Sequence, residues 1–207
     1  MKYVSPFSLL ALLAISLSYP SSTAAVDPSV VTQIAQSTSS PKSAGNKQAV
    51  QSQNVYRSAK FGFRFGYPNS YVVDSSQQNQ QPKPGQTWQG TIDIWKKNDY
   101  QAIKSKNFQG GEYPPNISIA VHINSNRLRL SQWKDRLSIG SRNTRNITVG
   151  GQNALAYAST GLYEFDNVVL CSPDGRRVIH LNVGYINASD PSRQVFQKLV
   201  SSFKFGK

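Results

Sequence analysis

Aromatic rings at Phe61, Phe63 and Phe65 alternate with Gly62, Arg64 and Gly66. A period of two places three rings on one side of an extended segment, so this stretch predicts a strand running into Tyr67-Pro68. Ile117, Ile119, Val121 and Ile123 repeat the alternation around Ser118, Ala120 and His122 and predict a second strand. Ile147 to Val149, the pair Gly150-Gly151, then Gln152 to Ala158 predict a hairpin, because adjacent glycines take up the positive φ angles of a tight two-residue turn. Val168 to Cys171, the turn Ser172-Pro173-Asp174-Gly175 and Val178 to Tyr185 predict another. Neighbouring hairpins of this kind build an antiparallel sheet.

Helical spacing is rarer. After the start signal Ser189-Asp190-Pro191, apolar residues recur at Val195, Phe196, Leu199, Val200 and Phe203, one stripe of a C-terminal helix. Leu130 to Leu137, with Trp133 and Leu137 four apart, predicts a second helix, and Asp99 to Lys104 a third. Hairpins interleaved with amphipathic helices give an α+β domain with helices covering the sheet.

The ends of the chain read differently. Lys2 followed by the apolar run Phe7 to Leu17 is too short to cross a bilayer, and small residues follow at Ser22 to Ala25. Residues 1–25 therefore read as a secretory signal peptide cleaved after Ala24 or Ala25, which assigns the mature protein to a soluble state outside the cytoplasm. In residues 26–54, fifteen of twenty-nine positions are Ser, Thr, Gln or Asn and none is aromatic, so this stretch reads as a disordered linker. The folded domain is assigned to residues 55–207. Within it, the Gln- and Pro-rich stretch Asp74 to Gln89 reads as a long surface loop.

Three of these patterns occur together in one known group. The opening Tyr56-Arg57-Ser58 with Phe61 to Pro68, the Ile147 to Gly151 hairpin, and the closing Phe196 to Leu199 with Ser202-Phe203-Lys204-Phe205 resemble the Mog1/PsbP/DcrB-like family over nearly all of residues 55–207. The resemblance implies an α/β/α sandwich around a central antiparallel sheet. It also implies a non-enzymatic accessory role, since members include photosystem II accessory proteins of the lumen, bacterial envelope proteins and a nuclear-transport factor with no shared catalytic residues. Photosystem II is thereby one implied partner. The chain departs from the photosystem branch in lacking a lipid-anchoring Cys behind the leader and in its strong positive charge.

That charge is the feature most open to arithmetic. The chain carries 23 Lys and Arg against 10 Asp and Glu, a formal +13. Residues 55–207 hold 20 of the bases and 9 of the acids, so the excess belongs to the domain. Arg127, Arg129, Lys134, Arg136, Arg142 and Arg145 are interrupted only by Asp135, and they are the candidate partner-binding residues. Lys96, Lys97, Lys104 and Lys106 form a second group. Such a field steers an acidic protein or protein complex, or an anionic membrane surface, toward the domain. Nucleic acid is disfavoured as a partner by the export signal.

Catalytic chemistry has little to stand on. The lone Cys171 excludes a disulfide scaffold and any multi-Cys metal site. No nucleophile elbow, phosphate-cradling glycine loop or zinc-helix motif is present, and no motif calls for a cofactor. One alternative class survives. His122 and His180, joined by Asp93, make a possible metal trio for a secreted metal-dependent or hydrolytic enzyme. If their strands are neighbours the two imidazoles share one face, and the plainer expectation is two hydrogen-bonded histidines beneath a helix or at a sheet edge.

Overall fold

A computed structural model describes residues 53–81, 83–105, 112–138 and 140–206. The proposed leader, nearly all of the proposed linker and Lys106 lie outside the described residues. Ten strands and three helices follow in order: β1 (Gln53–Ser58), β2 (Phe63–Pro68), β3 (Tyr71–Asp74), β4 (Trp88–Lys96), α1 (Lys97–Lys104), β5 (Ile117–Ile123), α2 (Leu130–Leu137), β6 (Arg142–Val149), β7 (Gln152–Thr160), β8 (Glu164–Cys171), β9 (Arg177–Tyr185), α3 (Pro191–Ser202) and β10 (Lys204–Phe205). Seven strands form one sheet in the order β3-β4-β5-β9-β8-β7-β6, and β1-β2-β10 form a small second sheet. Every strand pair is antiparallel.

The large sheet is apolar on both faces, and each face is covered. On one side Ile92, Ile119, Leu181 and Val168 lie side by side across four strands, and α3 and the small sheet cover them with Phe61, Phe63, Phe65, Phe196, Leu199 and Phe203. The rings of Phe61, Phe63 and Phe65 all enter this core, although only the last two lie on β2: Phe61 belongs to the turn before it, where the Gly62 N–H donates to the Ser58 carbonyl at 2.9 Å. On the other side a smaller cluster of Trp133, Tyr157, Val169 and Val178 is roofed by α2. A sheet enclosed between α3 with the small sheet on one face and α2 on the other is the α+β sandwich expected from the sequence.

The start and stop signals work as their chemistry requires. The Asp190 carboxylate accepts from the Ser192 N–H at 2.9 Å, with Pro191 at the first helical position of α3. Gly150 and Gly151 adopt φ of 57° and 80°, the left-handed pair of a two-residue hairpin. Several boundaries differ from the sequence reading. β1 begins at Gln53, two residues inside the stretch assigned to the linker, because its backbone pairs with β2 from Pro68 onward. The Asp74 to Gln89 loop contains a short 3-10 turn at Ser76–Asn79 and ends where β4 begins. Strands β3 and β4 and the first five residues of β6 have no counterpart in the sequence reading.

Candidate docking surface

A buried asparagine organises one end of the sheet. Asn124, at the exit of β5, is only 3% exposed. Its Nδ2 donates to the Leu128 and Gly175 carbonyls at 3.2 and 3.3 Å, while its Oδ1 accepts from the Leu128 N–H and the Trp133 indole N–H, both at 2.9 Å. Its own N–H donates to the Arg176 carbonyl at 2.7 Å. Four separate pieces of chain are thereby held together: β5, the turn at 125–129, the first half of α2 and the β8–β9 turn.

Those pieces carry five arginines that have no ion-pair partner among the described residues. Arg127 sits at φ 47°, and its Nη1 donates to the Asp174 carbonyl at 3.1 Å. Gly175 lets the guanidinium pass, since a Cβ there would come within 3.1 Å of Nη1. Arg129 precedes α2, where its N–H donates to the Gln132 side chain at 3.0 Å. Arg136 lies over the Trp133 ring at 5.9 Å, and Arg177 donates from Nε to Gln89 Oε1 at 3.1 Å. Lys60 donates to the Gln78 and Gln89 carbonyls, extending the cationic area past β4. Around α2 and the β8–β9 turn, Arg127, Arg129, Lys134, Arg136, Arg176 and Arg177 face Asp135 and Asp174, six bases against two acids. Lys134 takes Asp135 at 2.9 Å and also donates to Ser141 Oγ at 2.8 Å. The Asp174 carboxyl is held below its ordinary range by the Ser172 hydroxyl first, then by the Arg176 N–H and the nearby guanidiniums. Among the described residues, no carboxylate lies within ion-pair distance of Arg127, Arg129, Arg136, Arg176 or Arg177.

The structure divides the six candidate residues. Arg127, Arg129, Lys134 and Arg136 gather around α2. Arg142 and Arg145 instead project from the edge strand β6 on the α3 side, where Arg142 pairs with Glu164. Arg176, absent from the sequence-based set, joins the α2 group through the β8–β9 turn, where its carbonyl accepts from the Asn124 N–H, while Arg177, likewise absent, starts β9 on the side of Ile179 and Leu181, the face opposite α2. The signal for them was the Asp174-Gly175 turn, which puts the following two arginines at a hairpin tip.

The two histidines do share a face. His180 lies opposite Val169 and Ala120, and His122 lies two residues along from Ala120 on β5. His180 is buried, with Nε2 3.0 Å from Asn167 Oδ1 and 3.4 Å from the Tyr157 hydroxyl. Asn167 donates its Nδ2 to Ser159 Oγ at 3.0 Å, so its oxygen faces the imidazole and His180 carries its proton on Nε2. Burial, reinforced by the charge on His122, lowers its pKa to about 4. His122 packs against the Trp133 ring at 5.4 Å, and burial lowers its pKa too. Asp93 pairs with Ser118, four residues from His122, an offset of about 13 Å along the strand. It accepts from Asn116 Nδ2 at 3.0 Å, and burial raises its pKa. No group of three His, Cys, Asp or Glu residues able to hold a metal ion occurs among the described residues. The Cys171 thiol, half-buried, is pushed up in pKa by burial, the opposite of what a nucleophilic thiolate needs.

No family profile and no curated protein matches the chain. Among solved structures it is similar to cyanobacterial PsbP (CyanoP) from Synechocystis sp. PCC 6803, at 14% identity and a TM-score of 0.46, over 80% of this chain and 99% of that one. It is also similar to a protein of Bacteroides thetaiotaomicron, at 8% identity and a TM-score of 0.43, over 76% of this chain and 49% of that one.

Proposed function

We propose that the protein is an exported, non-enzymatic accessory protein that docks on an acidic protein or protein complex through the cations around α2 and the β8–β9 turn. The observation that carries this reading is the surplus of guanidiniums there: Arg129, Arg136 and Arg176 are exposed, and none has a carboxylate within ion-pair distance among the described residues. Arginine is suited to this work, because its planar fork binds carboxylates in pairs and is weakly hydrated, so it desolvates at a modest cost. The mechanism has two stages. The uneven field first orients the domain and speeds encounter with an acidic surface. Docking then seats the guanidiniums against carboxylates, with the Asn124 bonds holding their backbones in place beforehand.

Residues 1–25 support delivery to the periplasm or thylakoid lumen, and the resemblance carried by the Tyr56 to Pro68 and Gly150-Gly151 motifs makes photosystem II a partner of the right kind. An anionic membrane surface is the competing target. Pull-down from envelope and thylakoid fractions tests the reading, run from about 10 mM to about 1 M salt, over which the screening length falls from roughly 30 to 3 Å. One acidic protein or complex is expected to be retained at low salt, released as salt rises, and lost on changing Arg129, Arg136 and Arg176 to Glu. Retention that ignores both salt and charge reversal contradicts the reading, as does binding to anionic vesicles alone.

A further inference from the structure

We propose that the groove between α3 and the β6 edge of the large sheet binds an amphipathic monocarboxylate, an aliphatic acid whose carboxylate meets Arg145. This site lies on the face opposite α2 and is independent of the docking reading.

The groove originates in strand register. Across the α3 face, one row of side chains runs Ile92, Ile119, Leu181, Val168, Ala156, Arg145, and the next runs Ile94, Ile117, Val183, Asp166, Ala158, Arg142. Both rows are bulky in the centre of the sheet, shrink to alanine on β7 and end in arginine on β6. Residues three apart in a regular strand point to opposite faces. Here Arg142 pairs with Ala158 and Arg145 with Ala156, so β6 spends three residues where β7 spends two. Asn143 at φ 55° takes up the extra residue, a bulge that turns both guanidiniums onto one face.

Beneath them lies a cavity of about 520 Å³, floored by Ala156 and Ala158 and walled by Ile147, Phe196 and Val200. Its volume suits one small ligand with a mostly apolar body. The charges select which ligand. The Arg193 guanidinium is held by both oxygens of Asp166, at 2.8 and 3.3 Å, and stacks on the Tyr185 ring at 4.4 Å. Arg142 is tied to Glu164 and, at 2.6 Å, to the Thr160 hydroxyl. Arg145 is exposed and has no carboxylate within ion-pair distance among the described residues. Two of the three guanidiniums are thus already neutralised, leaving one positive charge at the mouth of a groove whose floor is apolar and whose rim carries Asn143, Gln197 and Ser201. One anionic head on one aliphatic body complements that arrangement, and a polyanion does not.

Titration calorimetry of the mature chain with sodium decanoate tests the proposal, with decanol as the uncharged match and a Glu-rich peptide as the polypeptide alternative. Decanoate is expected to bind at one site per chain. Arg145→Gln, a change at an exposed position, is expected to weaken it about tenfold or more, the loss of one charge-assisted hydrogen bond. Ala158→Leu, which fills the floor of the groove, is expected to abolish binding while thermal melts show the variant still folded. Absence of decanoate binding overturns the proposal, as does equal binding of decanol, indifference to Arg145→Gln, or preference for the peptide.

Discussion

Asn124 shows how much one side chain holds here. Replacing it with Ala leaves the Trp133 indole N–H, the Leu128 N–H and two carbonyls without their partners in a nearly closed site. Unsatisfied buried groups of this kind cost about 1–3 kcal/mol each, partly relieved by water, so Asn124→Ala is expected to destabilise the domain by about 3 kcal/mol. For a domain of this size that lowers the melting temperature by roughly 6–12 °C, measurable by calorimetry. A shift under a degree or two contradicts the role assigned to it. His180 yields a second prediction. Its folded pKa, about 4, lies below the unfolded value near 6.5, so the unfolded chain binds more protons between the two. The stabilisation is complete above about pH 6.5 and is lost as pH falls toward 4, by up to about 3 kcal/mol. Denaturant titrations across that range should show His180→Gln losing less stability on acidification than the wild type. The carboxylates titrate in both proteins and cancel in the comparison. Parallel acid limbs for the two proteins rule out a neutral buried imidazole.

At the scale of elements, alternation was legible wherever a strand buries one clean set of side chains. Phe61 to Phe65 and Ile117 to Ile123 announce themselves, and the two hairpins do so through Gly150-Gly151 and Asp174-Gly175. Strand β4 did not, because Thr91, Asp93 and Trp95 on its second face are partly buried too, and a buried Asp satisfied by Asn116 looks like a loop residue in a bare sequence. Strand β6 hid for the opposite reason. As an edge strand it leaves its first five residues exposed, and its bulge breaks the period of two. The left-handed conformation at Asn143 supports that bulge, and asparagine tolerates it better than any branched residue. Asn143→Val is therefore expected to cost about 1–2 kcal/mol, read by urea unfolding, whereas Asn143→Gly leaves stability within about 0.5 kcal/mol. Equal stability of the two variants would mean that β6 has some other way to absorb its extra residue.

For the molecule as a whole, the sequence exposed the amount of charge but not its arrangement. Arg127 to Arg145 form a run along the chain, yet α2 and β6 carry them to different sides of the sheet. Arg176 reaches the α2 group from a hairpin some thirty residues later, brought there by the β5–β9 pairing, with Arg177 beside it at the sheet end. Pairing between strands distant in sequence has no local signal, so Arg176 and Arg177 were out of sight until the sheet order was known. The histidines were legible as sharing a face if their strands were neighbours, but their depth follows from Trp133 packing on His122 and Tyr157 stacking on His180. Basic proteins adhere to acidic ones through net charge alone, so the position of the charge is the claim to be tested.

Two variants of equal net charge make that test. One carries Glu at Arg129, Arg136 and Arg176; the other carries Glu at Lys97, Lys198 and Lys204, which are likewise exposed and have no carboxylate within ion-pair distance among the described residues. The dissociation constant for the captured partner, measured at one low ionic strength, should rise about tenfold or more in the first and stay within about twofold in the second. Equal weakening in both would contradict a docking surface and leave only the overall charge of the domain.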